Sequence, residues 1–303
     1  MSQMPMTNND NINNTTQPAL NLVDLPLDTL ILICEHLNMQ EACSLYRTGS
    51  INLRKAIAET EFDFYTTGEC IPPGVSVKQF RKVFANAIGI KISEPFKLTP
   101  EDFDYMVPSL CKDKPQGLEK VKIDMSTYYG ALPMHNGDWI NKAKYNRNAF
   151  NKLRGIHKLD ISNNYFVKYR HIKSLKDIKY LNMSGCNQIE ESVLQYLTKV
   201  KCLALNDCSR MTNKALTYLK SDDLETLDIS KCYKITKEAL EQFSEKYPNL
   251  IWYADHLYHQ EDPLDDYHDH EYDYPDEDYE DYDCFGLIGI IHPTKGLKFH
   301  LIK

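Results

Sequence analysis

Apolar residues in the middle of the chain recur in a fixed frame. Leu224, Leu227 and Ile229 stand at its first, fourth and sixth places. Val200, Leu203 and Leu205 repeat that spacing, as do Ile178, Leu181 and Met183, then Ile156, Leu159 and Ile161, and much earlier Ala87, Ile90 and Ile92. Three more apolar residues follow in each unit: Ile235, Leu240 and Phe243; Met211, Leu216 and Leu219; Ile189, Leu194 and Leu197; Val167, Ile172 and Leu175; Leu98, Phe103 and Met106. Every place in this five-unit frame is apolar, whereas 42% of the whole chain is. Composition alone does not produce such a pattern.

The spacing has a physical reading. An apolar-x-apolar pair puts two side chains on one face of a strand. The later places, five and three residues apart, suit a turn and an amphipathic helix covering the same core. Helix-start chemistry falls where this requires it: Thr99-Pro100-Glu101 offers a cap, a proline and an early acid, and Thr212 and Thr236 occupy equivalent places. One such unit cannot bury its apolar face alone, so the units must stack. The predicted class is α/β, a solenoid of strand-and-helix turns over 87–258.

Two units depart from the frame. Leu118, Val121 and Ile123 keep a strand, but the chain then runs irregularly through Tyr128, Tyr129 and Trp139 to Phe150. This unit starts 38 residues before the next, against 22 to 26 later. Either an inserted loop or a degenerate repeat accounts for it. The last unit, Leu250, Tyr253 and Asp255, loses the third apolar place, as an end cap does.

Outside the repeats, residues 1–19 are rich in Asn, Thr and Met without periodicity, and are expected to be disordered. Residues 20–60 read as compact helices. Residues 61–86 read as a connector, broken at Pro72-Pro73-Gly74, with a short helix over 77–87. Residues 259–283 form an acidic, Tyr-rich linker. In 284–303, two apolar runs flank Pro293-Thr294-Lys295-Gly296, the pattern of a β-hairpin, which is expected to cap the solenoid.

Charge is unevenly placed. The net charge is −8, yet residues 261–283 hold 13 acids and no Lys or Arg, leaving about +5 for the rest. That excess is dispersed and does not point to nucleic acid. Nine cysteines, an odd number without a CxxC pair or a leader, indicate a reducing, intracellular setting, cytoplasmic and/or nuclear. No apolar run approaches the roughly 18 residues that a membrane helix needs, so no membrane partner is expected. His268-Asp269-His270 lacks fixed geometry, and no metal or cofactor is expected there.

The repeat resembles the cysteine-containing class of leucine-rich repeats. Cys186, Cys208 and Cys232 fall three residues past the third strand place, in that family's Cys/Asn column; Asn164 takes the place one unit earlier, and Pro95 and Ser126 in the first two. The resemblance implies a horseshoe-shaped solenoid and a ladder of small buried side chains rather than a metal site.

Ahead of the repeats, Leu25-Pro26-Leu27-Asp28 opens a helix with Leu30, Ile33, Cys34 and Leu37 on one face. Leu45, Leu53 and Ile57 continue the apolar pattern through two more helices. This resembles the F-box, the three-helix motif that docks on the Skp adaptor of SCF-type cullin ubiquitin ligases. The family's aromatic near the third helix is Leu53 here, and its Val-Ser-Arg-like stretch is Thr48-Gly49-Ser50. An F-box before such repeats is a known family arrangement.

No phosphate loop, zinc-protease motif or nucleophile elbow is present, so a non-catalytic binding protein is expected. The resemblance implies a substrate-recognition subunit. Leu25, Pro26, Leu30, Ile33, Leu37, Leu45 and Leu53 would bind the adaptor and, through it, the cullin. A protein substrate would meet the side chains between the buried strand places, among them Asp160, Tyr180, Asn182, Asn206, Thr226 and Asp228. The alternative is a non-catalytic scaffold or decoy that binds the adaptor or another partner without promoting ubiquitylation.

Overall fold

Each apolar-x-apolar stretch becomes a short strand, and the strands join through their backbones alone. The structure is a computed structural model that describes residues 21–112, 117–127, 145, 148–254 and 257. The strands are β1 (Cys70–Ile71), β2 (Gly89–Ile92), β3 (Lys122–Asp124), β4 (Lys158–Asp160), β5 (Tyr180–Asn182), β6 (Cys202–Ala204), β7 (Thr226–Asp228) and β8 (Ile251–Tyr253). They form one open, parallel sheet in sequence order, a solenoid-like arrangement in which each turn pairs with its neighbours.

Register carries the core from turn to turn. Ile90, Ile123, Leu159, Leu181, Leu203, Leu227 and Trp252 lie level across the sheet. Every place of the five-unit frame is buried except Leu98, which is half-buried. The covering helical segments lengthen with the repeat. Units of 22 residues carry only Tyr169–Ile172 and the 3-10 turn Glu191–Tyr196; those of 24 and 26 carry the α-helices Asn213–Tyr218 and Lys237–Lys246. Thr212 and Thr236 cap the last two, accepting from the backbone of Lys214 and Ala239. Thr99 and Asp102 bind each other's backbone N–H, with the 3-10 turn Asp102–Tyr105 following.

Two frames differ from the sequence expectation. In the second unit Ile123 pairs with Leu159, so Met125 is level with Ile161 and the frame begins two residues later than Leu118. A shift of two keeps each side chain on its face, but it removes Ser126 from the Cys/Asn column. In the last unit Trp252 pairs with Leu227 and Tyr253 with Asp228. That is a shift of one: Tyr253 stands on the outer face, 38% exposed, while Trp252 and Ala254 turn inward. Asp255 lies outside the described residues, as do the N-terminal 1–19, the stretch containing Tyr128, Tyr129 and Trp139, the acidic linker and the C-terminal hairpin.

The Cys/Asn column has a backbone purpose. Cys186, Cys208 and Cys232 donate their thiols to the carbonyls of Ile161, Met183 and Leu205, each one turn earlier, at 3.1 to 3.2 Å. Asn164 donates likewise to Met125 at 2.8 Å. Strand ends leave carbonyls without a ladder partner, and the column supplies one. Burial pushes the Cys186 thiol up to about 12 and that of Cys208 well above its ordinary range.

The sheet begins one strand earlier than the repeat frame indicates. Within 61–86, α4 (Phe64–Thr67), β1 and α5 (Val77–Arg81) add to the same core. Their Phe62, Phe64, Phe80 and Phe84 rings pack with centroids 5.0 to 5.8 Å apart. Arg81, 6% exposed, donates to four carbonyls: Tyr105 and Met106 on one side, Phe84 and Ala87 on the other. Burial pulls its guanidinium down to about 9, still cationic at neutral pH.

Candidate protein-binding surfaces

Among the described residues, three α-helices come ahead of α4 and the sheet: α1 (Leu27–Cys34), α2 (Met39–Arg47) and α3 (Ile51–Glu59). Asn38 and Glu41 form a reciprocal capping box that starts α2, and Ser50 caps α3 through the Leu53 N–H. α1 packs on α3, and α2 on α3. The amide N–H of Met39 donates to Glu69 at 2.9 Å, tying the head of α2 to the segment before β1.

The predicted adaptor residues divide by burial. Leu30 and Leu53 are 1% and 3% exposed, so they hold the helices together and present no surface. Leu25, Ile33, Leu37 and Leu45 are half-buried, and Pro26 is exposed. The exposed aliphatic residues are ones the periodicity passed over: Leu32 at 60% and Ile51 at 81%. An amphipathic pattern marks the face that packs inward, and so it selects against residues left free to dock.

On the outer face of the sheet three rows run across the strands. One contains Lys122, Lys158, Tyr180, Cys202 and Thr226; the next Asp124, Asp160, Asn182, Ala204 and Asp228. The third follows the strand ends with Ser126, Ser162, Ser184, Asn206 and Ser230. The second row is a polar ladder that satisfies itself. Asp124, Asp160, Asn182 and Asp228 each accept from the backbone N–H two residues on, at 2.8 to 3.0 Å, the local bond that closes an Asx turn. Asn182 also donates to Asp160 at 3.1 Å, and Lys91 pairs with Asp124 at 3.2 Å.

This ladder changes the standing of the predicted substrate residues. Asp160 and Asn182 are buried and use their polar atoms within the ladder. Burial, then the adjacent Asp124, pushes the Asp160 carboxyl up. Thr226 is buried as well, whereas Tyr180, Asn206 and Asp228 are half-buried and reach the surface. At the β2–β3 end α4 lies over the face: Asp63 pairs with Lys122 at 2.6 Å, and Lys158 sits over the Tyr65 ring at 4.7 Å. A Cβ on Gly89 would overlap the Asp63 carboxylate, so glycine lets α4 approach. The accessible part of the face is therefore the β4–β8 end. Nothing in the 61–86 sequence signals this cover, because α4 is a single turn without periodicity.

Among the described residues no group of three or more His, Cys, Asp or Glu is arranged to hold a metal ion, and no helix is long and apolar enough to cross a membrane. His268-Asp269-His270 lies outside the described residues.

No protein-family model matches the sequence, and no curated protein matches it. Among solved structures, the fold is similar to a chain in the crystal structure of the Rad7 and Elc1 complex in yeast, with a TM-score of 0.39 and 10% identity. The similarity covers 59% of this chain and 44% of that one, so this chain matches less than half of its length.

Proposed function

We propose that this chain is the non-catalytic substrate-recognition subunit of an SCF-type cullin ubiquitin ligase. The helices α1–α3 bind a Skp-type adaptor, and the β4–β8 end of the outer sheet face, with Tyr180, Asn206 and Asp228, meets a protein substrate. The observation that carries this reading is the pair Leu32 and Ile51. Both are large aliphatic residues exposed on helices whose other faces are already packed, and anchors of that kind are what an interface buries. The Leu25-Pro26-Leu27-Asp28 opening and the repeat that follows agree with it. Rate enhancement would come from tethering, which turns a bimolecular transfer into an effectively intramolecular one.

The test is co-purification of the full chain with a Skp-type adaptor and cullin. Wild type is expected to bind, a Leu32→Asp/Ile51→Asp variant to lose binding, and Tyr180→Ala to keep it. A folded wild-type protein that binds neither adaptor nor cullin overturns the proposal. Where the complex forms, ubiquitylation of co-purified proteins is compared between wild type and a Leu25→Ala/Pro26→Ala variant. No difference identifies the scaffold or decoy, the reading suggested by Thr48-Gly49-Ser50 and Leu53 in place of the family's usual residues.

A further inference from the structure

The sequence shows its positive charge as dispersed, but the stacking of two turns gathers part of it. The 3-10 turn Ala149–Leu153 and the helix Tyr169–Ile172 lie side by side on the helical side of the sheet. Between them is an open cavity of about 290 Å³, lined by Asn151, Arg154, Arg170, Lys173, Ser174 and Lys176 among others. Arg170, Lys173 and Ser174 lie on and just past the short helix, and Asn151 and Arg154 on and just past the 3-10 turn. Ser174 donates to the Asn151 amide oxygen at 2.7 Å, joining the two walls.

Four cations line this space without a carboxylate. Among the described residues none of Arg154, Arg170, Lys173 and Lys176 forms an ion pair. The acid that feels Arg154, Asp177, is already held by Lys199 at 2.6 Å. Lys173 lies over the Tyr196 ring at 5.1 Å. The Arg170 Nε–H is fully buried, so this guanidinium faces the cavity through its outer nitrogens. Two guanidinium groups, two ammonium groups and an amide match the many acceptor oxygens of a phosphate dianion, and arginine forks suit its geometry.

We propose that this cavity is a binding site for a phosphate monoester, presented on a phosphorylated side chain of a protein partner. It lies on the opposite side of the sheet from the outer strand face and does not depend on the ligase reading. Phosphoryl oxygens accept from the outer guanidinium N–H groups of Arg170 and Arg154, and Lys173 and Lys176 balance the remaining charge. A carboxylate is a poorer occupant, since it brings one negative charge and two acceptor oxygens to four cations.

The test uses the full chain and three probes at matched ionic strength: inorganic phosphate, a fluorescent Ala-Ala-phosphoserine-Ala-Ala peptide, and the same peptide unphosphorylated. Binding is read by fluorescence anisotropy, and for phosphate by the shift in thermal midpoint. The expected result is that the phosphopeptide binds, phosphate competes with it, and the unphosphorylated peptide does neither. Arg170→Gln and Lys173→Gln each weaken phosphopeptide binding at least tenfold, while Lys55→Gln, on distant α3, leaves it unchanged. If Arg170→Gln does not fold by circular dichroism, Lys173→Gln and Arg154→Gln carry the comparison. Binding of phosphate without phosphopeptide overturns the protein-borne source and leaves a site for the free anion. Equal binding by wild type and the pocket variants, or binding of neither phosphorylated probe, overturns the site itself.

Discussion

Asn163 and Gly185 hold the same backbone conformation one turn apart, and a Cβ placed on Gly185 would overlap the Asn163 side-chain oxygen. Their φ angles are +53° and +67°, and Asp207 and Lys231 continue the column at +55° and +58°. The chain leaves each of these strands through a left-handed residue, directly after the row of Ser162, Ser184, Asn206 and Ser230. Non-glycine residues tolerate this at a modest cost; at Gly185 there is also no room. Gly185→Ala is expected to lower stability by about 1–3 kcal/mol, measured by urea unfolding. A second change, Asn163→Gly, removes the overlapping group and is expected to restore part of the loss. Unchanged stability in Gly185→Ala contradicts the crowding.

The thiol ladder predicts a graded response. Cys208→Ser keeps a second donor facing the Met183 carbonyl, whereas Cys208→Ala leaves that carbonyl only the Cys186 N–H. The alanine variant should lose roughly 0.5–1.5 kcal/mol, and the serine variant less. Chemical labelling gives an independent check. In the native protein Cys186 and Cys208 should resist iodoacetamide, because burial keeps them as thiols, while the half-buried Cys43 and Cys70 react sooner. Early labelling of Cys208, read by peptide mass, would contradict the ladder.

Asp160 ties stability to pH. The unfolded chain gives up this proton in the ordinary aspartate range, but the fold retains it to higher pH. Between those points the unfolded state binds fewer protons, so this residue's contribution is fullest in acid and is lost as pH rises. Asp160→Asn removes the titration. The stability of the variant relative to wild type is expected to climb from about pH 4 to about pH 8, by at most about 1.4 kcal/mol per unit. Urea unfolding across that range measures it, and a falling difference would contradict the assignment.

Arg81 joins α5, the entry to β2 and the 3-10 turn Asp102–Tyr105 through four carbonyls. Arg81→Met preserves much of the apolar stem but takes the guanidinium from all four acceptors, and about 1–3 kcal/mol of stability should go with it. Arg81→Lys cannot fork to both sides and should fall between the two. Equilibrium denaturation ranks the three proteins, and indistinguishable midpoints would show the clamp to be dispensable.

The apolar frame was legible because each of its places meets the same core. Its phase failed where the local pattern is ambiguous. Val121 is apolar and buried just ahead of β3, and so suggests a frame two residues early. Leu250-Ile251-Trp252-Tyr253 has no polar residue to mark alternation, which allows the slip that reverses Tyr253. β1 spans only Cys70 and Ile71 and carries no periodicity. The left-handed column mixes Asn, Gly, Asp and Lys, so no residue type announces it. The basic cavity draws Arg154 from one turn and Arg170 from the next, and each alone is an ordinary surface charge. Of the candidate docking residues, the pattern found those that pack and missed Leu32 and Ile51, because periodicity reports burial.

The rows across the outer face also act as a ruler. Consecutive side chains in a row are separated by the strand spacing, about 4.8 Å. In an extended peptide laid along a row, same-side residues recur every 6.8 Å or so, and the two scales fall out of step within two strands. Successive turns of an α-helix recur at about 5.4 Å and drift by only about 0.6 Å per strand. Over three neighbouring strands of β4–β8 a helix therefore drifts by only about 1.2 Å and meets each with nearly the same part of its surface, and the sheet's own periodicity sets the shape of partner that it can measure.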